Sequence, residues 1–370
     1  MKLCVFPGDS LATLYKKGEI KPRYYNPENL FSEIHFFTFV DSDIEPSKIQ
    51  IVAGDAKVFI HPVGKVKPLK LKKTIQKVTE LIREIKPGVI RTFQATFQGY
   101  VAAKAAKQLG IPLVLSLHTN YDDLRNNMLK YKQYKQWAIY NYTKRFIEPF
   151  VVQNATKVIC VYEFAAKYAR KYGAKDVEII YNKVYPEAFE KAKPAMKTKL
   201  PLVITVGRMI NGKNQHVLIQ AVEKLPVHLL IIGDGPNMQQ NQNLIKELKI
   251  QDKVTIIPSV PNTKLPEYYK GAYLFALSIE YGGVAIPVLE AMCAQIPVIV
   301  SKPLEDGSEI ANEVGIVVEN NPTAFETAIN QLLSDKKLYA QLVAKGNTKM
   351  REINGAKMEE KEAILYKKLI

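Results

Sequence analysis

Ser278-Ile-Glu-Tyr-Gly-Gly-Val-Ala-Ile-Pro-Val-Leu-Glu290-Ala-Met-Cys-Ala-Gln-Ile-Pro297-Val-Ile-Val-Ser301 reads as the end of one strand, a glycine-bearing turn, a helix and a second strand. Apolar runs joined through a helix are βα units, the building blocks of a parallel sheet. Glu280 leaves the first strand and Glu290 rides the helix. Asp and Glu are rarely buried without a partner, and each ionised oxygen accepts from neutral hydroxyls, so a polyhydroxylated ligand fits the pair. A capped turn for Glu280 and a solvated helix face for Glu290 fit the same residues.

Outward from this segment the alternation continues almost throughout the 370 residues, implying an α/β fold of two Rossmann-like domains. Strands are expected near Leu3–Phe6, Ile34–Val40, Val58–His61, Val89–Phe93, Leu113–His118, Val158–Val161 and Glu178–Tyr181. A second series begins at Leu202–Val206 and runs through His228–Ile232, Val254–Ile257, Leu274–Leu277 and Val298–Val300. Helices are expected over Leu71–Ile85, Phe97–Leu109, Met128–Gln153, Glu163–Tyr172, Ala324–Leu333, Lys336–Arg351 and Met358–Leu369. Between Lys183 and Pro201 prolines and lysines replace any sustained apolar face, as in a linker. The reading is an N-terminal domain over 1–185, a linker over 186–200, a second domain over 201–352, and a C-terminal helix over 353–370 that packs back on the first domain. In open α/β sheets ligands gather beyond the carboxyl ends of the strands, so facing strand ends would form a cleft between the domains.

A hydrophobic content of 47% excludes disorder. There is no apolar run of 18 or more residues and no sign of a signal peptide, which suits a cytoplasmic chain. Cys4, Cys160 and Cys293 are odd in number and widely spaced, so reduced, buried thiols are expected rather than disulfides or a metal cluster. The net charge of +16 is uneven: residues 1–200 hold 34 Lys and Arg against 18 Asp and Glu, a difference of 16, whereas residues 201–370 hold 18 of each. The excess lies in the first half. It points to an anionic partner there, membrane surface, acidic polymer or nucleic acid, and general solubility explains the same balance.

Val206-Gly207-Arg208-Met209-Ile210-Asn211-Gly212-Lys213 follows a strand and opens onto a helix near Asn214. Glycines let backbone approach an anion, the helix start offers amides, and the two cations suit a diphosphate leaving group. It is not a Walker loop, because the glycine spacing and the Ser/Thr after Lys213 are absent. Gly233-Asp234-Gly235-Pro236 ends another strand without the third glycine of a dinucleotide fingerprint. In the first half, Pro7-Gly8-Asp9-Ser10 closes the first strand and His118 ends another; a histidine there suits a substrate hydroxyl or a structural role alike. No HExxH or cysteine pair is present, and Asp122-Asp123 is a weak stand-in for a metal motif, so neither metal nor other cofactor is expected. Lys130 to Tyr140 interleaves bases with aromatics, a face that suits lipid headgroups, carbohydrate stacking or single-stranded nucleic acid, or ordinary packing.

With these residues in view, the chain resembles a family 4 retaining glycosyltransferase of the GT-B fold, glycosyltransferase group 1, over almost its whole length. The Gly207–Lys213 run, the GDGP turn and the segment quoted first, followed by Gly315-Ile-Val-Val-Glu319, carry the resemblance. It implies a metal-independent hexosyltransferase using a nucleotide-diphosphate sugar. Arg208 and Lys213 would hold the donor diphosphate on the Gly207 loop, Glu290 the ribose, and Glu280 the transferred sugar. Gly283 and Val284 would offer amides, Val260 would lie against the base, and Gly8 would approach the donor. His118 would face the reacting sugar from the other domain.

One departure stands out. Glu280 and Glu290 enclose nine residues where the family has seven, and the family spacing falls on Gly282. Either the turn carries two extra residues and Glu280 reaches in, which Gly282-Gly283 favours, or the sugar-binding carboxylate is absent. The basic half would face the acceptor, so the implied acceptor is an anionic or lipid-linked glycan, with an anionic membrane surface as a further partner on the inner face of the cell membrane. The diphosphate and carboxylate motifs weigh against the alternatives, a nucleic-acid-binding protein or a nucleotide-sugar epimerase of the same fold, and no nucleic acid is expected as a partner.

Overall fold

The structure, a computed structural model, describes residues 1–66, 70–280, 286–303 and 309–370. Continuous apolar runs form strands buried on both faces, as parallel sheets require. In the first unit the strands are β1 (Lys2–Phe6), β2 (Glu33–Thr38), β3 (Lys57–Pro62), β4 (Val89–Thr92), β5 (Leu113–Leu117), β6 (Lys157–Cys160) and β7 (Val177–Ile179). They pair in parallel in the order β3-β2-β1-β4-β5-β6-β7. Its helices are α1 (Leu11–Lys16), α2 (Leu71–Ile85), α3 (Phe97–Leu109), α4 (Tyr121–Lys130), α5 (Tyr134–Asn154) and α6 (Glu163–Lys171). Met1–Tyr181 and Met358–Ile370 make up this unit.

The second unit, Asn182–Lys357, begins with α7 (Pro186–Glu190). Its strands are β8 (Leu202–Val206), β9 (His228–Ile232), β10 (Val254–Ile257), β11 (Leu274–Leu277), β12 (Val298–Ser301) and β13 (Ile316–Val318), in the order β10-β9-β8-β11-β12-β13. The helices are α8 (Gln215–Ala221), α9 (Met238–Glu247), α10 (Leu265–Lys270), α11 (Ile286–Cys293), α12 (Glu309–Val314), α13 (Pro322–Ser334) and α14 (Lys336–Ile353). Val203, Leu229, Ile231, Leu274 and Ile299 from the strands pack with Leu218, Phe325 and Ile329 in one apolar core. Each such side chain contributes ~1.5–3 kcal/mol by burial. The stretch read as a linker packs within this unit: Phe189 is buried with its ring 6.0 Å from that of Tyr269, and the Ala195 amide donates to the Glu267 carbonyl at 3.0 Å.

In each sheet the order reverses once, between β1 and β4 and between β8 and β11. Loops leaving adjacent strands in opposite directions open a crevice there. The expected functional loops after β1, β8 and β11 all flank these two reversals.

One expected helix, Met128–Gln153, is two. Lys132 adopts φ 56°, a left-handed conformation that interrupts α-helical hydrogen bonding, and the Gln133 amide turns back to the Met128 carbonyl at 2.7 Å. Asn120 caps α4 by accepting from the Asp122 and Asp123 amides, so those two acids sit in the first helical turn, where the helix dipole favours them. The final helix, α15 (Gly355–Leu369), holds the first unit from Met358 onward. Buried Glu359 pairs with Arg23 at 2.8 Å and accepts from the Glu28 amide at 3.0 Å, and the ring of Tyr366 meets Phe31 edge-on at 5.2 Å.

Cys4, Cys160 and Cys293 are free and buried; burial pushes all three thiols up, Cys160 and Cys293 to about 12. Among the described residues no helix is long and apolar enough to cross a membrane.

Candidate functional site

In the second unit the β8 loop is built against the β9 loop. The Met209 amide donates to the Asp234 carbonyl at 2.6 Å and the Asn237 amide to the Met209 carbonyl at 3.0 Å. This contact explains two glycines: a Cβ at Gly233 would lie 2.1 Å from the Gly207 carbonyl oxygen, and one at Gly235 would lie 2.4 Å from that of Met209. Gln215, buried at the start of α8, donates to the Arg208 carbonyl at 3.1 Å and fixes the loop from below. The Lys213 and Gln215 amides bond to Ile210 and Lys213 carbonyls inside the loop. Several backbone donors of this turn are therefore already used, and its anion-binding capacity rests chiefly on side chains.

Those side chains are Arg208, exposed, and Lys213, half-buried. A Cβ at Gly207 would approach the Lys213 ammonium to 3.0 Å, so this glycine makes room for the lysine. Burial, and after it the charge of Arg208, pushes the Lys213 ammonium below its ordinary value. Two cations held together favour an incoming anion.

Glu280 joins the same loop from the neighbouring strand. Its amide donates to the Gly212 carbonyl at 2.9 Å and its carboxylate accepts from the Asn214 side chain at 3.0 Å. Ser278 donates to the Asn214 carbonyl at 2.7 Å, and buried Ser301, ending β12, both accepts from the Ile279 amide at 2.6 Å and donates to the Ile279 carbonyl at 2.7 Å. The carboxylate is thus placed by backbone on both sides of the β8–β11 reversal. Glu290 lies in α11, where Tyr269 of α10 donates to it at 2.9 Å; burial and the carboxylate together hold the Tyr269 phenol well above its ordinary range. Val260 is half-buried in the loop after β10. Gly283 and Val284 lie outside the described residues.

In the first unit, Gly8 follows β1 with its carbonyl accepting from Gln94 at 2.8 Å, and a Cβ there would meet the same side chain at 3.3 Å. His118 follows β5; its carbonyl accepts from the Tyr162 hydroxyl at 2.7 Å and its ring lies 5.6 Å from that of Phe93. Burial, with the charge of Arg91 acting in the same direction, pushes His118 from 6.5 down to about 4. The imidazole is neutral near pH 7. An unfolded chain takes up a proton as pH falls through 6.5, while the folded one does so only near 4, so stability is full above 6.5 and is lost on acidification toward 4. The melting temperature should fall over that window, and His118→Gln should remove part of the fall; an unchanged slope would show that His118 does not contribute.

Asn214, Gln215 and Tyr269 were not singled out from sequence, nor was Arg91, whose ion pair with Glu362 underlies the His118 environment. Among the described residues no group of three or more His, Cys, Asp or Glu side chains is arranged to hold a metal ion.

Two family models cover most of the chain: Glycosyltransferase Family 4 matches residues 32–188 and Glycosyl transferases group 1 matches residues 186–349. The chain belongs to the family 4, group 1 glycosyltransferases. It is 26% identical over 198 residues to an N-acetylgalactosamine-N,N'-diacetylbacillosaminyl-diphospho-undecaprenol 4-alpha-N-acetylgalactosaminyltransferase of Campylobacter jejuni, covering 52% of this chain and 53% of that one. The chain spans about half the length of the first curated relatives it matches. Two solved structures share the glycosyltransferase fold end to end. Sucrose-phosphate synthase from Thermosynechococcus elongatus superposes with a TM-score of 0.74 at 18% identity, covering 100% of this chain and 99% of that one. Anabaena Alr3699/HepE in complex with UDP and glucose does so with a TM-score of 0.72 at 16% identity, covering 100% of both.

Proposed function

We propose that this glycosyltransferase moves a hexosyl group from a nucleotide-diphosphate sugar to a glycan or lipid-linked acceptor, with retention of configuration and without a metal. The observation that carries the reading is the convergence of Arg208, Lys213 and Glu280 on one loop at the β8–β11 reversal, two cations beside a positioned carboxylate. The solved relative holding UDP and glucose, and the Campylobacter relative whose name specifies a diphospho-undecaprenol acceptor, support a nucleotide donor and a lipid-linked acceptor.

In this reaction the acceptor hydroxyl oxygen bonds to the anomeric carbon on the face from which the diphosphate departs. The bond from that carbon to the phosphate oxygen breaks, and the departing oxygen takes the hydroxyl proton. Arg208 and Lys213 offset the charge developing on the diphosphate. Glu280, held by Asn214 and Gly212, accepts from hydroxyls of the transferred sugar, so no carboxylate acts as nucleophile. Glu290 accepts from the ribose. Neutral His118 in the first unit donates to, or accepts from, a hydroxyl without adding charge.

A thermal-shift screen of nucleotide sugars, followed by donor hydrolysis on the hits, tests this reading. A charge-assisted hydrogen bond contributes ~1.5–3 kcal/mol, roughly 10- to 100-fold in affinity. Glu290→Gln is expected to weaken nucleotide diphosphate and intact donor alike, whereas Glu280→Gln weakens the intact donor alone. A chain stabilised by neither nucleotides nor nucleotide sugars is not a transferase of this kind.

A further inference from the structure

Large apolar side chains left in water are scattered over most of this chain but concentrate in one place. Of the twelve that are exposed among the described residues, five fall between Leu129 and Phe146. On α5, Tyr134 is 61% exposed, Ile139 50%, Tyr142 56% and Phe146 63%. At 3.6 residues per turn these four positions, with Lys135 and Arg145 between them, lie within about 140° of arc. The rings of Tyr142 and Phe146 sit 6.4 Å apart and Arg145 lies over Phe146 at 5.7 Å, so the arc is continuous and carries its own cations. Exposed Lys130 and Lys132 flank it, and no Asp or Glu occurs from Leu124 to Ile147.

We propose that this face of α5, with the end of α4, docks on an anionic lipid bilayer, an assignment that rests on the lipid-linked acceptor proposed above. Aromatic rings and basic side chains on one face, with a helix too polar to cross, describe an element that lies in the interface plane. Each Lys or Arg near an anionic surface adds to the attraction, and burial of the exposed apolar area adds to it further. A polynucleotide would reward the rings and the cations, yet Leu129 and Ile139 gain nothing from phosphates and gain most from acyl chains. The face cannot roll inward to hide its rings, because the opposite side of the helix is fixed by buried charge. Arg125 from α4 donates to both oxygens of Glu148 at 2.8 and 3.0 Å, Thr143 donates to it at 2.7 Å, and Tyr168 of α6 is a further donor.

The test uses the full chain and sedimentation with vesicles of phosphatidylcholine, with or without phosphatidylglycerol. Binding is expected on the mixed vesicles and at least tenfold weaker on the neutral ones. Tyr134→Ser/Tyr142→Ser/Phe146→Ser and Lys132→Glu/Lys135→Glu should each lose tenfold or more while keeping the thermal shift given by nucleotide sugar. Equal recovery on both vesicle types, or wild-type recovery by the triple variant, overturns the docking face, as does binding of polynucleotide through these residues without binding to vesicles. Lost vesicle binding with intact donor binding removes the face alone; retained vesicle binding in a chain that takes up no nucleotide sugar removes the transferase reading alone.

Discussion

Lys213→Ala is expected to slow sugar transfer by about 10²- to 10³-fold at saturating donor, the loss typical of one preorganised charge-stabilising group. The loss follows from where the ammonium sits. It is half-buried, pressed against Gly207 and next to Arg208, and burial with like charge disfavours its protonated form while the site holds no anion. An arriving diphosphate relieves both effects at once, and the departing one gains most as its charge grows. The same reasoning makes the alanine variant no less stable than the parent, because a desolvated charge has been removed. Rate and stability should therefore move in opposite directions, or stability not at all, in paired single-turnover and melting measurements. Lys213→Arg should fail to restore the rate, since the space beside Gly207 fits a compact ammonium and not a planar fork. A wild-type rate in a folded Lys213→Ala chain would remove the residue from the chemistry.

The sheets were largely legible because parallel strands buried on both faces are written as unbroken apolar runs, as in Leu202–Val206 or His228–Ile232. The short strand Ile316–Val318 was not read as one, since three half-buried residues carry little periodic signal. The break between α4 and α5 was missed for a different reason: it rests on a left-handed Lys132, and lysine announces no such turn. The candidate residues singled out from sequence sit at strand ends, Arg208, Lys213 and Glu280 in the second unit and His118 in the first. Their partners were not legible. Asn214 reaches Glu280 across 66 residues and Tyr269 reaches Glu290 across 21, and no local pattern encodes a hydrogen bond between separate crossover units. The extra two residues between Glu280 and Glu290 likewise leave two options from sequence; Glu280 contacts Gly212 and Asn214, and its role toward a sugar belongs to the proposal.

A long-range buried partnership, Arg91 with Glu362 across 271 residues, yields the second large effect. Arg91 leaves β4 and Glu362 comes from α15; their side chains are 5% and 3% exposed. Arg91 also donates to Ser116 at 3.1 Å and lies over Phe93 at 4.4 Å, so it is packed on every side. Glu362→Ala strands the guanidinium without its counter-charge, and breaking one side of a buried pair costs about 3–5 kcal/mol. For a chain of this size that is a large share of its stability. The pair itself adds little over a well-packed apolar replacement, because desolvating two charges offsets most of their attraction, so Arg91→Met/Glu362→Leu should recover most of the loss. Strongly negative coupling in a cycle of the two single variants and the double variant is the signature, read by denaturant melts. His118 supplies an independent readout from the same variants. Arg91 lowers its pKa and Glu362 raises it, so Glu362→Leu should push His118 further down and Arg91→Met should bring it back toward its ordinary value. If both variants left the imidazole resonances titrating as in the parent, the ion pair would be a structural fastening of α15 with no bearing on His118.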